Sequence, residues 1–383
     1  MNRLFPVLLL LSLLFSPNPL YAINDPAPEP SPQEKPTAPA PTTKEQKEQE
    51  DADTASLRAI QTLLDTKKYE EAVKNLKPLA AKEIPEAMYV LGYLTQEGKG
   101  TKANAKVSAE LFRKAALKGD IRAQTAWGKA LAQGTGVRRN YREAVTWFRK
   151  AAEEGIAVAQ YNLGYLYAHG KGVAKNEAAA IEWFTKAAQQ GLSDAQYSLG
   201  WMYANSTGEL QNDVQAVHWL EKAAEQDHPK AQNNLAYMYA EGKGVAASAD
   251  KALYWYLRAA EQDYPVAAYN LGVMYEQGRG IAQDYEQAVK WYTKAAQSNE
   301  PAAQYCLGVM YDQGTGVLPN HQEAIRWYRL AAQNGDPDAK KELRLIENAK
   351  PRPKPEKTNQ DKKSTKKTTT SKENKKLKKS QPN

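Results

Sequence analysis

The side chains best suited to catalysis or metal binding are few and scattered. The histidines are His169, His218, His228 and His321, and the only cysteine is Cys306. Zinc sites place their ligands at short, characteristic spacings, or flank a glutamate with two histidines on one helix. Neither arrangement occurs here. A cysteine beside a histidine can act as a nucleophile, but Cys306 stands where other segments carry asparagine. We therefore expect no catalytic residues, no metal and no cofactor.

Glycine-x-glycine loops such as Gly242-Lys243-Gly244 suggest phosphate binding, but a phosphate loop follows a strand and occurs once. These loops instead recur, because the chain repeats itself every 36 residues without insertions. The period defines seven units, 85–120, 121–156, 157–192, 193–228, 229–264, 265–300 and 301–336. A fixed period of this length is typical of stacked helical arrays.

Each unit is predicted to form two helices. In the unit 157–192, Leu163 and Gly164 share one face of the first helix, and the missing side chain of Gly164 lets a neighbouring helix approach closely. The glycine loop then ends that helix. Asn176 is expected to cap the second helix, which directs Trp183 and Phe184 inward.

The residues that recur at equivalent places in successive units resemble those of the Sel-1-like repeat family, a relative of tetratricopeptide repeats. The unit 157–192 carries the pattern as Ala159, Tyr161, Leu163-Gly164, Tyr167, Gly170-Lys171-Gly172-Val173, Trp183-Phe184 and Lys186-Ala187-Ala188. The resemblance implies an all-α superhelix that binds ligands as a scaffold, usually without catalysis. Cysteine-rich members have been linked to β-lactams, but a chain with one cysteine departs from their disulfide pattern.

The first helices carry polar aromatic residues in fixed places. Tyrosine supplies contact area at low entropic cost, and asparagine can pair with a peptide backbone. In tetratricopeptide-like stacks these places resemble positions on the concave surface, so the sequence favours a groove; packing between helices is the alternative. The candidate partner-binding residues are Tyr89, Tyr161, Tyr197, Tyr269 and Tyr305 in one column, Tyr93, Tyr165, Trp201 and Tyr237 in a second, and Asn162, Asn234 and Asn270 in a third.

The regions that flank the repeats differ in composition. Residues 1–22 have a positive start, a short apolar run and a small residue at their end, which predicts a signal peptide. The run is too short to span a membrane. Residues 23–54 are proline-rich and then charged, which predicts a disordered linker. Residues 55–84 are expected to form a shortened helix pair, and residues 337–350 a capping helix.

The chain has a net charge of +8, and its C-terminal tail, residues 351–383, holds twelve basic and three acidic residues. Such a tail is expected to be disordered and attracts polyanions. If the protein is exported to the periplasm or beyond, an anionic envelope polymer is a better candidate for the tail than nucleic acid. A tail that only keeps the protein in solution is the alternative.

The sequence thus predicts an α-solenoid that is an exported, non-catalytic scaffold. The first choice of partner is an envelope protein or peptide, and the second is peptidoglycan or another glycan. A hydrolase that acts on cell-wall material or a β-lactam is the rival class. Its one candidate carboxylate is Glu209, in the irregular segment 201–209. Polyanion binding through the tail is a third interpretation.

Overall fold

The computed structural model describes residues 44–348, and within that range the chain forms α-helices and no strand. A leading pair, α1 (Lys44–Asp65) and α2 (Tyr69–Ala81), precedes the repeats, and α17 (Pro337–Asn348) follows them. The seven repeats contribute two 13-residue helices each: α3 (Pro85–Glu97) and α4 (Ala105–Leu117), α5 (Ile121–Gln133) and α6 (Tyr141–Glu153), α7 (Ala157–His169) and α8 (Glu177–Gln189), α9 (Ser193–Asn205) and α10 (Asp213–Glu225), α11 (Pro229–Glu241) and α12 (Ala249–Glu261), α13 (Pro265–Gln277) and α14 (Tyr285–Gln297), α15 (Pro301–Gln313) and α16 (His321–Gln333).

The helix boundaries follow from capping residues in the sequence. The Asn176 side chain accepts a hydrogen bond from the Ala179 backbone N–H at 2.9 Å, which satisfies a donor that the helix leaves free. The equivalent cap is present at the start of every second helix of the repeats. The first helix of the same repeat ends at Gly170, whose φ of 60° is left-handed. The predicted caps and stops are therefore confirmed.

Two glycine columns allow the helices and repeats to pack closely. A Cβ atom at Gly164 would lie 2.9 Å from the Phe184 ring, so the two helices of a repeat meet where the side chain is missing. A Cβ atom at Gly172 would lie 2.5 Å from the backbone of Tyr141, which belongs to the preceding repeat. The glycine loop of one repeat is thus seated on the second helix of the repeat before it.

A ladder of buried glutamines joins consecutive repeats. Gln232 is fully buried, and its Nε2 donates to the Ala224 carbonyl of the preceding repeat at 3.1 Å. Its Oε1 accepts a hydrogen bond from Gln262 at 2.8 Å, within its own repeat. Gln160, Gln196 and Gln304 repeat both contacts. Each junction with this glutamine is therefore tied by hydrogen bonds as well as by apolar packing, since buried amides require partners.

The first helix corrects the predicted linker. Residues 44–54 were expected to be part of a disordered segment, but they belong to α1, which is 22 residues long. The prolines end at Pro41, and the following lysine, glutamate and glutamine residues favour helix. Gln49 donates to Asp53 at 2.9 Å, and Lys82, the residue that follows α2, also donates to Asp53, at 2.8 Å. The leading pair is therefore short only in its loop, because α1 exceeds the repeat helices in length.

The tryptophan column is less buried than expected. Phe184 is 2% exposed, but Trp183 is only partly buried. Lys186, one turn along the same helix, lies over the Trp183 ring, with its Nζ 4.2 Å from the ring centre. Comparable contacts occur at Trp147, Trp219, Trp255 and Trp291. The column therefore forms an interface between the core and a row of cations.

Several predictions about the ends of the chain concern residues that the structure does not describe. The signal peptide (1–22), the proline-rich part of the linker and the basic tail (351–383) lie outside residues 44–348. Within those described residues, none of the helices combines the length and the apolar character that crossing a membrane requires.

Candidate interaction surface

The first helices of the repeats lie on the inner side of the stack. In the described residues, α5 approaches α7 directly, and α9 approaches α11, across the intervening second helix. Direct contact between alternate helices is expected where a row of helices lines the inside of a curve. The candidate tyrosines and asparagines all lie on these first helices.

The first tyrosine column packs mainly between helices. The Tyr161 ring lies 5.7 Å from the Phe184 ring, and its hydroxyl shares a hydrogen bond with Ser198 of the next repeat. Tyr269 is only 7% exposed. The ring pairs Tyr89–Phe112, Tyr269–Tyr292 and Tyr305–Tyr328 repeat this geometry at 5.8–6.0 Å. Burial is the first cause of the raised pKa of Tyr305, about 12, as expected for a phenol kept from water.

Part of the asparagine column is used within the protein. Asn234 and Asn270 are 5% and 9% exposed. The Asn233 amide donates to Asn234 at 3.2 Å, and Asn270 donates to Asn233 at 2.9 Å. Asn234 also bonds the Tyr197 hydroxyl, so one polar chain links repeats 193–228, 229–264 and 265–300. Asn233 occupies a place in the tyrosine column, and the sequence analysis overlooked it because its role depends on these neighbours.

The aromatic residues of the second column are more accessible, and basic side chains lie against several of their rings. Tyr93 is 45% exposed, while Tyr165, Trp201 and Tyr237 are partly buried. In the three repeats whose loop carries a lysine, that lysine lies on the aromatic ring of the same repeat. Lys99 is 5.5 Å from the Tyr93 centroid, and Lys243 is 5.0 Å from that of Tyr237. The exposed aromatic rings are therefore paired with basic side chains, which the sequence analysis did not connect.

Two cavities open on the inner side, and both occupy the same place in the repeat. The repeat 2–3 pocket, of about 380 Å³, lies between α5, α6 and α7. The repeat 5–6 pocket, of about 450 Å³, lies between α11, α12 and α13. The two differ by three repeat lengths in sequence. The first contains the candidates Tyr161, Asn162 and Tyr165, and the second contains Tyr237, Tyr269 and Asn270. The candidates Tyr89, Tyr93, Tyr197, Trp201, Asn234 and Tyr305 line neither pocket.

The pockets share a shape but differ in charge. The repeat 5–6 pocket holds Arg279, which pairs with the Glu241 carboxylate at 3.3 Å. The equivalent residues of the repeat 2–3 pocket are Lys171 and Gln133, so the carboxylate is replaced by a neutral amide. Two more cations, Lys129 and Arg139, stand where the other pocket has Tyr237 and Ala247. The repeat 2–3 pocket therefore has three cations and no carboxylate in its lining.

The field of these cations reaches neighbouring groups. Lys171 is 8% exposed, donates to the Tyr165 hydroxyl at 3.1 Å, and lies 4.7 Å from the Tyr165 ring centroid. The His169 ring packs against the Tyr165 ring in a tilted arrangement, with 4.3 Å between the ring centres. Its pKa is lowered, first by burial and then by the charges of Lys171 and Lys175. Both effects favour the neutral imidazole.

The residues considered for catalysis lie apart from one another. Glu209 is exposed in a short 3-10 turn, Gly208–Leu210. Desolvation raises the pKa of the Cys306 thiol, which disfavours the nucleophilic thiolate. Among residues 44–348, no group of three or more histidine, cysteine, aspartate or glutamate side chains is placed to hold a metal ion.

The family model of the Sel1 repeat matches residues 85–120, 121–156, 157–192, 193–228, 229–264, 265–300 and 301–336. These are the ranges defined by the 36-residue period. No curated protein matches the chain in sequence.

Solved structures give the same fold. A protective antigen present in uropathogenic Escherichia coli strains, described as displaying an SLR fold, is 33% identical with a TM-score of 0.68, over 79% of this chain and 66% of the antigen. A Sel1 repeat protein from Oxalobacter formigenes is 32% identical with a TM-score of 0.59, over 72% of this chain and 80% of that protein. The chain thus spans about two thirds of the antigen's length.

Proposed function

The chain belongs to the Sel1 repeat family, and from that premise we propose that it binds a protein partner along the inner surface formed by its first helices. Sel1 repeats are generally scaffolds for protein interactions. The observation that carries the proposal is the row of accessible aromatic rings with basic partners along these helices, at Tyr93, Tyr165 and Tyr237.

The chemistry of this row suits protein recognition. Tyrosine presents an apolar ring with a hydroxyl at its tip, and such residues are enriched at interfaces. The loop cations add charge at the same places, and the two pockets between repeats provide recesses of about 380 and 450 Å³ for side chains of a partner. An extended segment would meet the same pair of groups at every second repeat from the first to the fifth. The proposal therefore favours a partner bound along its length over a small molecule held at one point.

We further propose that binding takes place in the cell envelope, after export directed by residues 1–22. The support is the composition of that segment, with a basic residue, a short apolar run and a small residue at its end. Fractionation of cells that express the full chain checks this. Cleavage after Ala22 and recovery outside the cytoplasm support it, and an intact cytoplasmic chain contradicts it.

Photo-crosslinking in living cells tests the binding surface. The photoreactive residue p-benzoylphenylalanine replaces Tyr93 on the inner surface or, as the control, Tyr254 on a second helix. The two side chains are similarly accessible, 45% and 51% exposed. We expect a reproducible protein adduct from position 93 and none from position 254. Adducts at 254 alone, or at neither position, contradict the proposal.

A further inference from the structure

We propose that the repeat 2–3 pocket receives the carboxylate of an acidic side chain in an extended peptide segment. The proposal rests on the function proposed above, and it names the partner's chemistry at one place on the inner surface. Lys171 is only 8% exposed, and removing an ammonium group from water is costly unless a counter-charge compensates.

The protein does not supply that counter-charge. Within residues 44–348, no carboxylate lies within 4.0 Å of Lys171, Lys129 or Arg139, and none lines the pocket. The groups that compensate Lys171 are the Tyr165 hydroxyl and the faces of the Tyr165 and Tyr141 rings, 4.7 and 5.8 Å away. An anion in the pocket would complete a charge-assisted contact, which is stronger than a neutral hydrogen bond.

The repeat 5–6 pocket shows what the missing group is. There the cation of the glycine loop, Arg279, is paired with Glu241 of the preceding repeat. Gln133 stands at the place of Glu241 in the repeat 2–3 pocket. The same recess is therefore balanced from within at one junction and left for an external carboxylate at the other.

The remaining polar groups favour a peptide over a phosphate. Because Tyr165 accepts a hydrogen bond from Lys171, its own O–H proton remains to be donated. Asn162 donates its Nδ2 to the Val158 carbonyl at 2.7 Å, which leaves its Oδ1 to accept from a peptide N–H. An acceptor at this place would oppose the oxygens of a phosphate. Phe148 and Leu166, 2% exposed or less, also line the pocket and suit the methylene groups of a glutamate.

Two substitutions test the pocket, and each introduces a residue type that another repeat already carries at the equivalent position. Lys171→Thr removes the cation, and threonine already occupies this loop position at Thr135, Thr207 and Thr315. Gln133→Glu supplies the internal carboxylate seen at Glu241. The matched control is Lys222→Ala, which removes an exposed lysine from a second helix of another repeat, away from the inner surface. Circular dichroism confirms that each full-length variant is folded.

The probe is a blocked hexaglutamate peptide, with hexaglutamine as the neutral comparison, titrated calorimetrically at physiological salt. We expect Lys171→Thr and Gln133→Glu each to weaken hexaglutamate binding at least about tenfold, as for removal of a desolvated charge partner. Lys222→Ala should change it less than about threefold. The basic tail is common to all variants, so its binding does not affect the comparison. Equal affinities across the variants, or equal binding of hexaglutamine, overturn the proposal.

Acetylation of lysines, read by mass spectrometry in the wild-type protein, locates the ligand. Hexaglutamate should slow the acetylation of Lys171 and leave that of Lys222 unchanged. Inorganic phosphate that protects Lys171 equally well overturns the assignment to a peptide. If hexaglutamate fails while position 93 still crosslinks to a protein, this inference is wrong and the proposed function stands. If hexaglutamate protects Lys171 but position 93 gives no protein adduct, the proposed function is wrong and the carboxylate site stands.

Discussion

Replacement of Gln232 by methionine should measure what the glutamine ladder contributes to the stacking of repeats. Methionine has nearly the same shape, so the substitution leaves little cavity and removes three hydrogen bonds, at 3.1 Å to the Ala224 carbonyl, at 3.3 Å to the Asp227 carboxylate and at 2.8 Å from Gln262. The Ala224 carbonyl keeps another partner, because the Asp227 N–H donates to it at 3.0 Å. The side chain of Gln262 is exposed and can turn to water.

The cost is therefore that of the lost bonds without an orphaned group. A hydrogen bond contributes about 0.5–1.5 kcal/mol net. The exposed Asp227 carboxylate keeps Arg258 as a partner, so the loss comes mainly from the other two bonds and is roughly 1–3 kcal/mol. The methionine regains part of this, because the amide no longer has to be desolvated. We expect the free energy of unfolding to fall by about 1–2 kcal/mol, measured by urea denaturation followed by circular dichroism.

Gln262→Ala is the control. It removes the exposed member of the pair, and because water can enter the vacated place and bond the Gln232 Oε1, it should cost less than about 1 kcal/mol. A Gln232→Met variant that is as stable as the wild type would refute the argument, because the buried amides would then make no net contribution. A loss much greater than about 3 kcal/mol would mean that methionine does not fit the site.

Three further outcomes follow from the same structure. Gly308→Ala places a Cβ 2.5 Å from the Tyr328 ring. Overpacking that costs about 1–3 kcal/mol should outweigh the gain of about 1 kcal/mol in helix propensity. The melting temperature should therefore fall, and a rise would contradict this. His228 caps a helix by accepting from the Ala231 N–H at 3.2 Å, and burial lowers its pKa. Because the unfolded chain then binds the proton more readily, stability should decline as pH drops below about 6.5. Thermal melts between about pH 7 and 5.5 should show that His228→Asp lessens this decline. Gln133→Glu should pair with Lys171 and raise the melting temperature slightly, for a gain in stability of about 1 kcal/mol or less. A lower melting temperature would contradict the claim that the pocket cations lack a counter-charge.

Features set by local chemistry could be predicted from the sequence. The period, the helix pairs, the asparagine caps and the close approach at Gly164 depend on residue types at fixed spacings, and the structure contains each of them. The resemblance to Sel-1-like repeats added the superhelical fold, which the family model and the solved structures support. Binding by the tyrosine and asparagine columns stays a prediction.

Features set by contacts between repeats could not be predicted. Gln232 has an ordinary helix-forming side chain, and only the neighbouring helix end makes it part of a ladder. Asn233 acquires its role from Asn270, 37 residues away in sequence. The charge of the repeat 2–3 pocket arises because a loop lysine reaches the preceding repeat, where Gln133 replaces a carboxylate.

The central claim is that a protein partner is bound by the inner surface. Its most direct test is the Kd of the crosslinked partner, once purified, for three proteins: the wild type, a variant with Tyr93, Tyr165 and Tyr237 replaced by alanine, and Tyr254→Ala as the control. We expect the triple substitution to raise the Kd by at least about tenfold, as for interface anchors, with the Tyr254→Ala value unchanged. An unchanged Kd for the triple variant, with its helical content intact, would contradict the account.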